Sequence, residues 1–306
     1  MSVSRLIARR LGLPVATRKL AGLTTWAIGG PALVAEARTT AELSSLLELL
    51  DSTGTAWTVI GRGSNLLAAD SGFEGVVVRL TGDLASFEME ETEDGFHLGA
   101  GGGAPLPSMA GAACMHGAAG LEFAVGIPGT AGGGIFMNAG AYGGCLAQLV
   151  RRVELLGPRG ERISAGAEEL EFSYRSSSLQ DGALSGWTVA WLELALSRGS
   201  AAELRARAAE LLAERRRKYP LRLPNAGSVF RRHHGAKPPG WLIEHAGLKG
   251  AAVGGAQVSA LHANFIVNRG SASSSDVRRL IDMIQRAVQR EHGVDLEREV
   301  RYLGSP

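Results

Sequence analysis

The sequence predicts a folded protein of mixed helices and strands that contains about two domains. Its 306 residues compare with roughly 150 in an average domain. Hydrophobic residues make up 45% of the chain and charged residues 20%, a balance typical of folded, soluble proteins rather than disordered ones. Helix-like and strand-like segments alternate near its start, which indicates an α/β layer there.

The charges exclude a large electrostatic surface for nucleic acid or an anionic membrane. The 32 Lys and Arg residues nearly balance the 30 Asp and Glu residues, leaving a net charge of +2, so we expect neither partner. Cys114 and Cys145 are too few for a disulfide framework and are not spaced as zinc ligands. No signal peptide or membrane span is predicted, and the expected location is the reducing cytoplasm.

Hydrophobic periodicity predicts the first elements of the chain. A helix is expected over residues 40–51, with Thr40 as its N-cap and leucines at helical spacing. Strands at 57–60 and 75–80 follow it.

The middle of the chain predicts two strands, at 152–156 and 187–196, followed by a helix at 201–218 that Ser200 caps. The basic end of this helix complements the helix dipole. Its buried stripe is predicted to comprise Leu204, Ala208, Leu211 and Leu212.

Pro220 and Pro224 break the chain after this helix, which indicates a domain boundary. A strongly amphipathic helix is predicted at 276–291 and ends at Gly293. Its apolar face comprises Val277, Leu280, Ile281, Ile284 and Val288.

Glycine is the unusual residue, with 42 copies at nearly twice its average share of about 7%. Residues 99–147 contain 15 of them, interleaved with large apolar residues. A flexible linker would be polar and rich in serine. This segment is therefore expected to be packed, with backbone that turns sharply or closely approaches another group.

Gly61-Arg62-Gly63-Ser64-Asn65 follows directly after a predicted strand. Such a turn exposes several backbone N–H groups on one side, which suits a phosphate or pyrophosphate. A tight turn that needs a positive φ explains the same glycines.

A second glycine-rich stretch runs from Gly126 to Gly143. Its glycines, together with Thr130, Asn138 and Tyr142, fit a backbone that wraps against a flat ligand. A close crossing of two packed elements is the alternative.

Residues 99–104 match the dinucleotide-binding pattern G-x-G-x-x-A. The pattern should open a βαβ unit with an acidic residue about 20 positions later, at the end of a second strand. Glu122 instead lies in a segment that runs straight into the second glycine-rich stretch, so the context is poor for a nicotinamide-binding domain.

Three side chains stand out for acid–base chemistry. Ser228 is not a nucleophile-elbow serine, because the G-x-S-x-G motif needs glycine where this chain has Ala226 and Phe230. It is either a turn former or a proton donor. Taken singly, Arg175 and Glu299 suggest surface ion pairs. No metal site is expected at His233, His234, His245 or His262. None of these histidines has a partner at the spacing that metal ligands require.

These segments, in this order, resemble the UDP-N-acetylenolpyruvoylglucosamine reductases, which are flavoenzymes of peptidoglycan precursor synthesis. The resemblance covers nearly the whole chain. No long insertion precedes its last part, so the sequence looks like the shorter of the family's two structural subgroups. The resemblance rests on residues 23–30, 63–67, 120–144, 174–177, 225–230, 240–244, 254–258, 262–266 and 296–304.

The resemblance implies an α+β fold, with a two-lobed FAD-binding unit of the PCMH or vanillyl-alcohol-oxidase type and a C-terminal α/β substrate-binding domain. Lobe 1 is expected at 1–80, with 295–306 returning to it. Lobe 2 is expected at 81–218 and the substrate-binding domain at 219–294. We expect a monomer that uses FAD, NADPH as reductant, and a UDP-sugar enolpyruvyl ether as substrate.

The resemblance also assigns the binding residues. The FAD pyrophosphate is expected on the first loop, at Gly61, Arg62, Gly63, Ser64, Asn65 and Leu66. The isoalloxazine ring is expected at Gly126, Ile127, Pro128, Gly129, Thr130, Gly133, Asn138, Gly140 and Ala141. The implied substrate ligands are Tyr174, Lys218, Asn225 and Gln257.

The implied reaction is a two-stage reduction, in which NADPH gives a hydride to FAD and the flavin passes it to C3 of the enolpyruvyl ether. Ser228 matches the proton donor to C2. Arg175 and Glu299 match the pair that binds the substrate carboxylate and stabilises or protonates the carbanion-like intermediate. Two other interpretations stay open: a flavin oxidoreductase with a different acceptor, and a non-catalytic nucleotide-binding module.

Because Asn65 stands at the end of the first loop, where many related oxidases carry a flavin-linked histidine, the flavin is predicted to be noncovalent. The purified protein should be yellow, and acid or heat should release intact FAD into the supernatant, as an absorbance spectrum will show. Flavin that stays with the denatured polypeptide would contradict this prediction, and so would a colourless protein that FAD cannot reconstitute.

Overall fold

A computed structural model describes residues 2–232, 235 and 237–304. The backbone divides into two compact units. The first unit comprises residues 1–16, 33–61 and 75–214, and the second comprises 17–32, 62–74 and 215–306. This grouping does not follow the division at residues 80 and 81, so the three-part domain scheme stays a prediction. His233 and His234 lie outside the described residues.

The helices and strands of the described residues are as follows. The helices are α1 (Val3–Leu6), α2 (Thr40–Ser52), α3 (Leu106–His116), α4 (Ala131–Phe136), α5 (Ser178–Asp181), α6 (Ala201–Lys218), α7 (Pro239–His245) and α8 (Ser274–His292). The strands are β1 (Val15–Lys19), β2 (Pro31–Ala37), β3 (Trp57–Val59), β4 (Leu66–Ala68), β5 (Phe73–Leu80), β6 (Phe87–Thr92), β7 (Gly95–Gly101), β8 (Ala118–Ala119), β9 (Gly140–Ala141), β10 (Gly144–Cys145), β11 (Val150–Leu156), β12 (Arg162–Ala165), β13 (Thr188–Arg198), β14 (Ala252–Val253), β15 (Ala256–Val258), β16 (Ile266–Asn268) and β17 (Arg301–Leu303).

The predicted N-terminal layer is present. Strands β1, β2, β5 and β3 form a sheet in that order, with β3 parallel to β5, and α2 buries its leucines beside it. The N-cap of α2 is Thr39 and not the predicted Thr40, because Thr39 is extended and its hydroxyl accepts the Glu42 N–H at 3.2 Å.

The core of the first unit is built on the antiparallel ladder β12-β11-β13-β7-β6. Helices α3 and α4 contribute Leu106, Met109 and Ile135 to its buried cluster. Residues 99–104 are the end of β7 and the turn after it, so they do not open a βαβ unit. A Cβ at Gly102 would overlap the Val189 carbonyl oxygen, so packing explains this glycine of the G-x-G-x-x-A match.

Helix α6 has the predicted bounds, and the Ser200 hydroxyl accepts the Glu203 N–H at 3.4 Å. Its predicted buried stripe is only partly correct. Leu211 is buried, whereas Leu204, Ala208 and Leu212 are half-buried.

The second unit surrounds α8. All five predicted apolar residues of α8 are buried, and the antiparallel sheet β14-β15-β16 supplies Ala256 and Val258 to the same core. Ser273 caps the helix through a capping box with Asp276, and Gly293 ends it at φ +66°. The Asp276 carboxylate accepts hydrogen bonds from the Ser273 N–H and the Arg279 guanidinium, and these lower its pKa to about 2. Burial acts in the opposite direction and raises this pKa, but its effect is smaller.

The C-terminal strand joins the loop that follows β3. Strand β17 pairs in parallel with β4, with Arg301 opposite Leu66. Asp70, which follows β4, contacts the N-terminus of α8. Its carboxylate accepts the N–H groups of Ser274 at 2.7 Å and Ser275 at 3.1 Å. None of the helices in the described ranges has both the length and the hydropathy needed to cross a membrane.

Gly72 tests how tightly the segment after β4 is packed. It has φ +90°, and a Cβ there would overlap the carbonyl oxygen of Pro31. Gly72→Ala should lower the free energy of unfolding in urea by at least about 3 kcal/mol, since left-handed strain of roughly 1–2 kcal/mol adds to a backbone overlap.

The matched control is Gly247→Ala in the same unit, because Gly247 has φ +72° with open space around it. It should lose only the left-handed strain, about 1–2 kcal/mol. Equal losses in the two variants would mean that the overlap at Gly72 is relieved without cost.

Candidate functional site

Gly61 and Thr130 bring the two predicted FAD segments together within the first unit. Gly61 follows β3, and a Cβ there would overlap the Thr130 hydroxyl oxygen. Thr130 is buried and caps α4, with its hydroxyl 3.4 Å from the Gly133 N–H. The glycine at 61 is therefore required by the close approach of the first loop to the second glycine-rich stretch.

Packing accounts for several glycines of the second stretch. Gly132 donates to the Gly102 carbonyl at 2.8 Å, and a Cβ at Gly134 would lie 2.6 Å from Leu146. A Cβ at Gly140 would lie 2.6 Å from the Gly144 carbonyl oxygen. The alternative of a close crossing of packed elements is thus correct at these three positions.

Other residues of the second stretch are open to solvent. Pro128 and Gly133 are exposed, and Gly126, Ile127, Gly129 and Ala141 are half-buried. A Cβ at Gly133 would meet only the Thr130 hydroxyl, at 3.4 Å. These residues leave backbone accessible, as a flat ligand lying against the stretch requires.

Asn138 links the second stretch to the predicted catalytic arginine. It is buried at φ +39°. Its side-chain amide donates to the Ser173 carbonyl at 2.9 Å and accepts the Ala147 N–H at 3.1 Å. Asparagine tolerates this backbone conformation better than most residues, so its role here is to hold neighbouring segments.

Arg175 lies in a tight turn between Ser173 and Ser176, whose backbones exchange hydrogen bonds of 3.1 and 3.2 Å. Its φ is +56°, and its guanidinium donates to the Gly140 carbonyl at 2.8 Å. Buried Gln180 donates to the Arg175 carbonyl at 3.0 Å and to the Phe136 carbonyl at 2.7 Å. Arg175 is thereby fixed beside the second stretch.

Tyr174, at the tip of this turn, is 57% exposed. The Arg175 guanidinium lies 5.2 Å from the centre of its ring, within the range of a cation–π contact. Its hydroxyl is accessible for a ligand.

Asn65 and Glu299 lie side by side in the second unit. The Asn65 side chain donates to the Glu299 carbonyl at 3.1 Å, and the Arg301 N–H donates to the Asn65 carbonyl at 3.0 Å. The chain turns at Gly63, which has φ +59° and packs against the backbone of Leu23 and Thr24. Arg62, just before it, is exposed. Ser64 and Leu66 are half-buried.

Ser228 is placed beside Glu299 by a short antiparallel pairing. The Glu299 N–H donates to the Val229 carbonyl at 2.8 Å, and the Arg231 N–H donates to the Glu297 carbonyl at 2.9 Å. Ser228 precedes this pairing directly and is half-buried. The structure thus brings Asn65, Ser228 and Glu299 together, although the sequence separates them by up to 234 positions.

The turn before Ser228 is held by Asn225. Its side-chain oxygen accepts the Gly227 N–H at 3.0 Å, and its amide donates to the Leu223 carbonyl at 2.8 Å. Both ends of the side chain of this predicted substrate ligand therefore bind the turn itself.

Lys218 and Gln257 lie in other parts of the second unit. Lys218 is the last residue of α6 and is exposed. Gln257 lies on β15, and its amide donates to the Gly250 carbonyl at 3.0 Å.

An aromatic cluster follows Lys218. The ring of Tyr219 stacks on Phe265 at 5.0 Å and lies 5.2 Å from His262. Burial, aided by the positive charge of Lys249, lowers the pKa of His262. The neutral ring fits its contact, because His262 Nδ1 accepts the Asn264 N–H at 3.3 Å.

Sequence reasoning missed two buried amides that support the site, Gln180 and Asn264. Both are buried, and a buried amide requires hydrogen-bond partners. A polar residue within the apolar run 263–267 was the available signal for Asn264. Its partners, Val229 and Phe230, were not evident from the sequence.

Two family models match the chain. The model of an FAD binding domain matches residues 31–166. The model of the C-terminal domain of UDP-N-acetylenolpyruvoylglucosamine reductase matches residues 219–303. These matches confirm the predicted α+β organisation of a flavin-binding part followed by a C-terminal domain.

Relatives and a solved structure agree with these models. The UDP-N-acetylenolpyruvoylglucosamine reductase of Heliobacterium modesticaldum is 44% identical over 92% of this chain and 88% of its own. That of Halalkalibacterium halodurans is 40% identical over 99% and 98%. The crystal structure of UDP-N-acetylenolpyruvylglucosamine reductase from Thermus caldophilus matches with a TM-score of 0.80 and 34% identity, over 95% of this chain and 99% of that one. With such identity across nearly its whole length, the chain belongs to the UDP-N-acetylenolpyruvoylglucosamine reductase family.

Proposed function

We propose that Ser228, Arg175 and Glu299 perform the chemistry of this chain. The chain is an oxidoreductase that acts on a CH–CH group, reducing UDP-N-acetyl-enolpyruvoylglucosamine to UDP-N-acetylmuramate with FAD and NADPH in peptidoglycan precursor synthesis. The observation that supports the residue assignment is the pairing of 229–231 with 297–299, which brings the backbone of Val229, the residue after Ser228, next to that of Glu299.

The residues of the first loop fit FAD. Residues 61–65 offer a guanidinium, a hydroxyl and backbone N–H groups and contain no carboxylate, a donor set that suits a pyrophosphate. Asn65 carries an amide where a covalent linkage would need a nucleophile, so we propose noncovalent binding. When bound, FAD supplies at the site the hydride that originates from NADPH.

Ser228 is proposed to donate the proton to C2 of the substrate. Addition of hydride to C3 of the enolpyruvyl double bond leaves a carbanion at C2 that is conjugated with the carboxylate. The Ser228 O–H bond then breaks and a C2–H bond forms, which completes the reduction of one carbon–carbon double bond. A hydroxyl is a weak acid, so its position must compensate for its high pKa.

Arg175 and Glu299 are proposed to bind the substrate carboxylate and to stabilise the charge that develops on it. The Arg175 guanidinium is already oriented by the Gly140 carbonyl at 2.8 Å, so little reorganisation is needed when charge develops. The protonated form of Glu299 can donate a hydrogen bond to the enolate-like carboxylate.

Tyr174, Lys218, Asn225 and Gln257 are proposed to hold the rest of the substrate. The exposed ammonium of Lys218 suits a diphosphate, and the exposed Tyr174 hydroxyl suits a sugar or carboxylate oxygen. For Asn225 the side chain is taken up by its own turn, so its role is to shape the approach to Ser228.

We further propose that the chain acts as a cytoplasmic monomer without a nucleic-acid or membrane partner. The net charge of +2 and the free thiols of Cys114 and Cys145 support this.

The matches at 31–166 and 219–303 support two flavin-binding lobes, at 1–80 with 295–306 and at 81–218, and a substrate-binding domain at 219–294.

Because one site receives NADPH and the sugar nucleotide in turn, steady-state kinetics should be ping-pong. Double-reciprocal plots at several fixed NADPH concentrations should give parallel lines, with substrate inhibition at high concentration. Intersecting lines would show that both substrates bind together and would contradict the prediction.

The proposed proton donor is tested by Ser228→Ala in stopped-flow flavin absorbance. Reduction of FAD by NADPH should be nearly unchanged, because it does not use the hydroxyl. Anaerobic reoxidation by the enolpyruvyl substrate should slow by about 10⁴-fold or more, at the top of the range for general acid catalysis. Ser228→Cys, which retains a transferable proton, should lose less.

Arg175→Ala and Glu299→Ala should slow the same reoxidation by at least roughly 10²- to 10³-fold, as expected when one preorganised stabilising group is removed. Ser275→Ala, an exposed serine of the same unit, is the control and should behave like the native protein. Reoxidation of Ser228→Ala at the native rate would refute the assignment.

A further inference from the structure

Asn264 completes the backbone hydrogen bonding of the segment that carries Ser228. Its side-chain oxygen accepts the Phe230 N–H at 3.0 Å, and its side-chain amide donates to the Phe230 carbonyl at 2.9 Å. Its own carbonyl accepts the Val229 N–H at 2.9 Å. One residue therefore binds three backbone groups immediately after Ser228.

These contacts complement the pairing with 297–299. That pairing uses the Val229 carbonyl and the Arg231 N–H and leaves both groups of Phe230 to Asn264. An asparagine amide has the donor and acceptor of a peptide group, so Asn264 acts in place of a neighbouring strand. The segment 229–231 is thus held from two sides.

Burial makes the loss of any of these hydrogen bonds costly. Val229 and Phe230 are at most 1% exposed and Asn264 is 6% exposed, so water does not readily replace a lost partner. A buried N–H or carbonyl left without a partner is strongly unfavourable. Without the Asn264 side chain, the Phe230 backbone must shift to find new partners, and Ser228 and Glu299 move with it.

We infer that Asn264 is a positioning residue for proton transfer, because its side-chain amide fixes the backbone that holds Ser228 beside Glu299. The inference rests on the proposed roles of Ser228 and Glu299. It assigns to Asn264 no contact with substrate or flavin. Its effect is therefore confined to the step in which Ser228 acts.

Asn264→Ala should slow reoxidation of the reduced flavin by the enolpyruvyl substrate by about 10²-fold, the loss expected from an ångström-scale displacement of a reacting group. Reduction by NADPH, measured in the same stopped-flow experiment on the holoenzyme, should be unchanged. A merely structural defect would lower flavin content and slow both half-reactions together.

A second readout does not depend on activity. Hydrogen exchange of the Phe230 amide should be faster in Asn264→Ala than in the native holoenzyme, because its N–H loses the side-chain oxygen of Asn264, whereas the Val229 N–H keeps the backbone carbonyl of residue 264. If Asn264→Ala does not fold, Asn264→Ser, whose hydroxyl can pair with one Phe230 group, should show the same selective loss by a smaller factor.

Asn268→Ala is the matched control. Asn268 is 5% exposed in the same unit, donates to the Trp26 carbonyl at 3.0 Å and accepts the N–H groups of Gly270 and Ala272. Its side chain has no hydrogen bond to 228–231 or 297–299 among those described. Its loss should change the two half-reactions equally and leave exchange at 229–231 unaltered.

The outcomes separate the inference from the function on which it rests. If Ser228→Ala reoxidises normally, the proposed proton donor is wrong. If Ser228→Ala is defective while Asn264→Ala reoxidises normally, or loses both half-reactions equally, the role of Asn264 is overturned and that of Ser228 stands.

Discussion

The pairing of residues 229–231 with 297–299 is the constraint on which the chemistry of the second unit depends. Its two hydrogen bonds, of 2.8 and 2.9 Å, join segments that are about seventy positions apart. A slip of one residue would turn every side chain to the opposite face. Val229, Phe230 and Val300 prevent such a slip, because all three belong to the buried core around α8. Buried apolar residues next to Ser228 and Glu299 therefore help to fix the positions of both.

The same ladder reaches the first glycine loop. Asn65 accepts the Arg301 N–H and donates to the Glu299 carbonyl, and β4 continues beside β17. A disturbance at the C-terminal strand is therefore expected to reach both the loop proposed to hold the flavin phosphates and the carboxyl group proposed to act on the substrate. Asp70 adds a second contact, because its carboxylate binds the first N–H groups of α8. The segment from Asn65 to Asp70 is therefore held at both ends.

Hydrophobic periodicity was sufficient for the long helices, since the buried faces of α2 and α8 follow directly from their apolar spacing. It was insufficient for α6, where few elements cover the predicted stripe and only Leu211 is buried. Glycine composition pointed to the two segments proposed to hold the flavin but did not distinguish the roles of their glycines. At Gly102, Gly132 and Gly134 the closely approaching atoms belong to the protein itself, and a sequence does not reveal which neighbour demands the missing side chain. The support from Asn264 depends on Val229 and Phe230, and that from Gln180 depends in part on Phe136. These partners are distant in the chain, and no local pattern encodes them.

Backbone strain in the first unit points in the same direction as these contacts. Five non-glycine residues have a positive φ among the described residues. Three of them, Asn138, Tyr142 and Arg175, with φ of 39°, 53° and 56°, lie in or beside the second glycine-rich stretch, and the other two are Ala27 and Glu171. Such conformations cost of order 1–3 kcal/mol each and persist only where surrounding contacts fix them. The hydrogen bonds from Asn138 to Ser173 and from Arg175 to Gly140 are contacts of this kind. A glycine at any of the three positions would relieve the strain but would also remove the side chain and its contacts. The retained strain therefore favours these residues as parts of the site rather than of the scaffold alone.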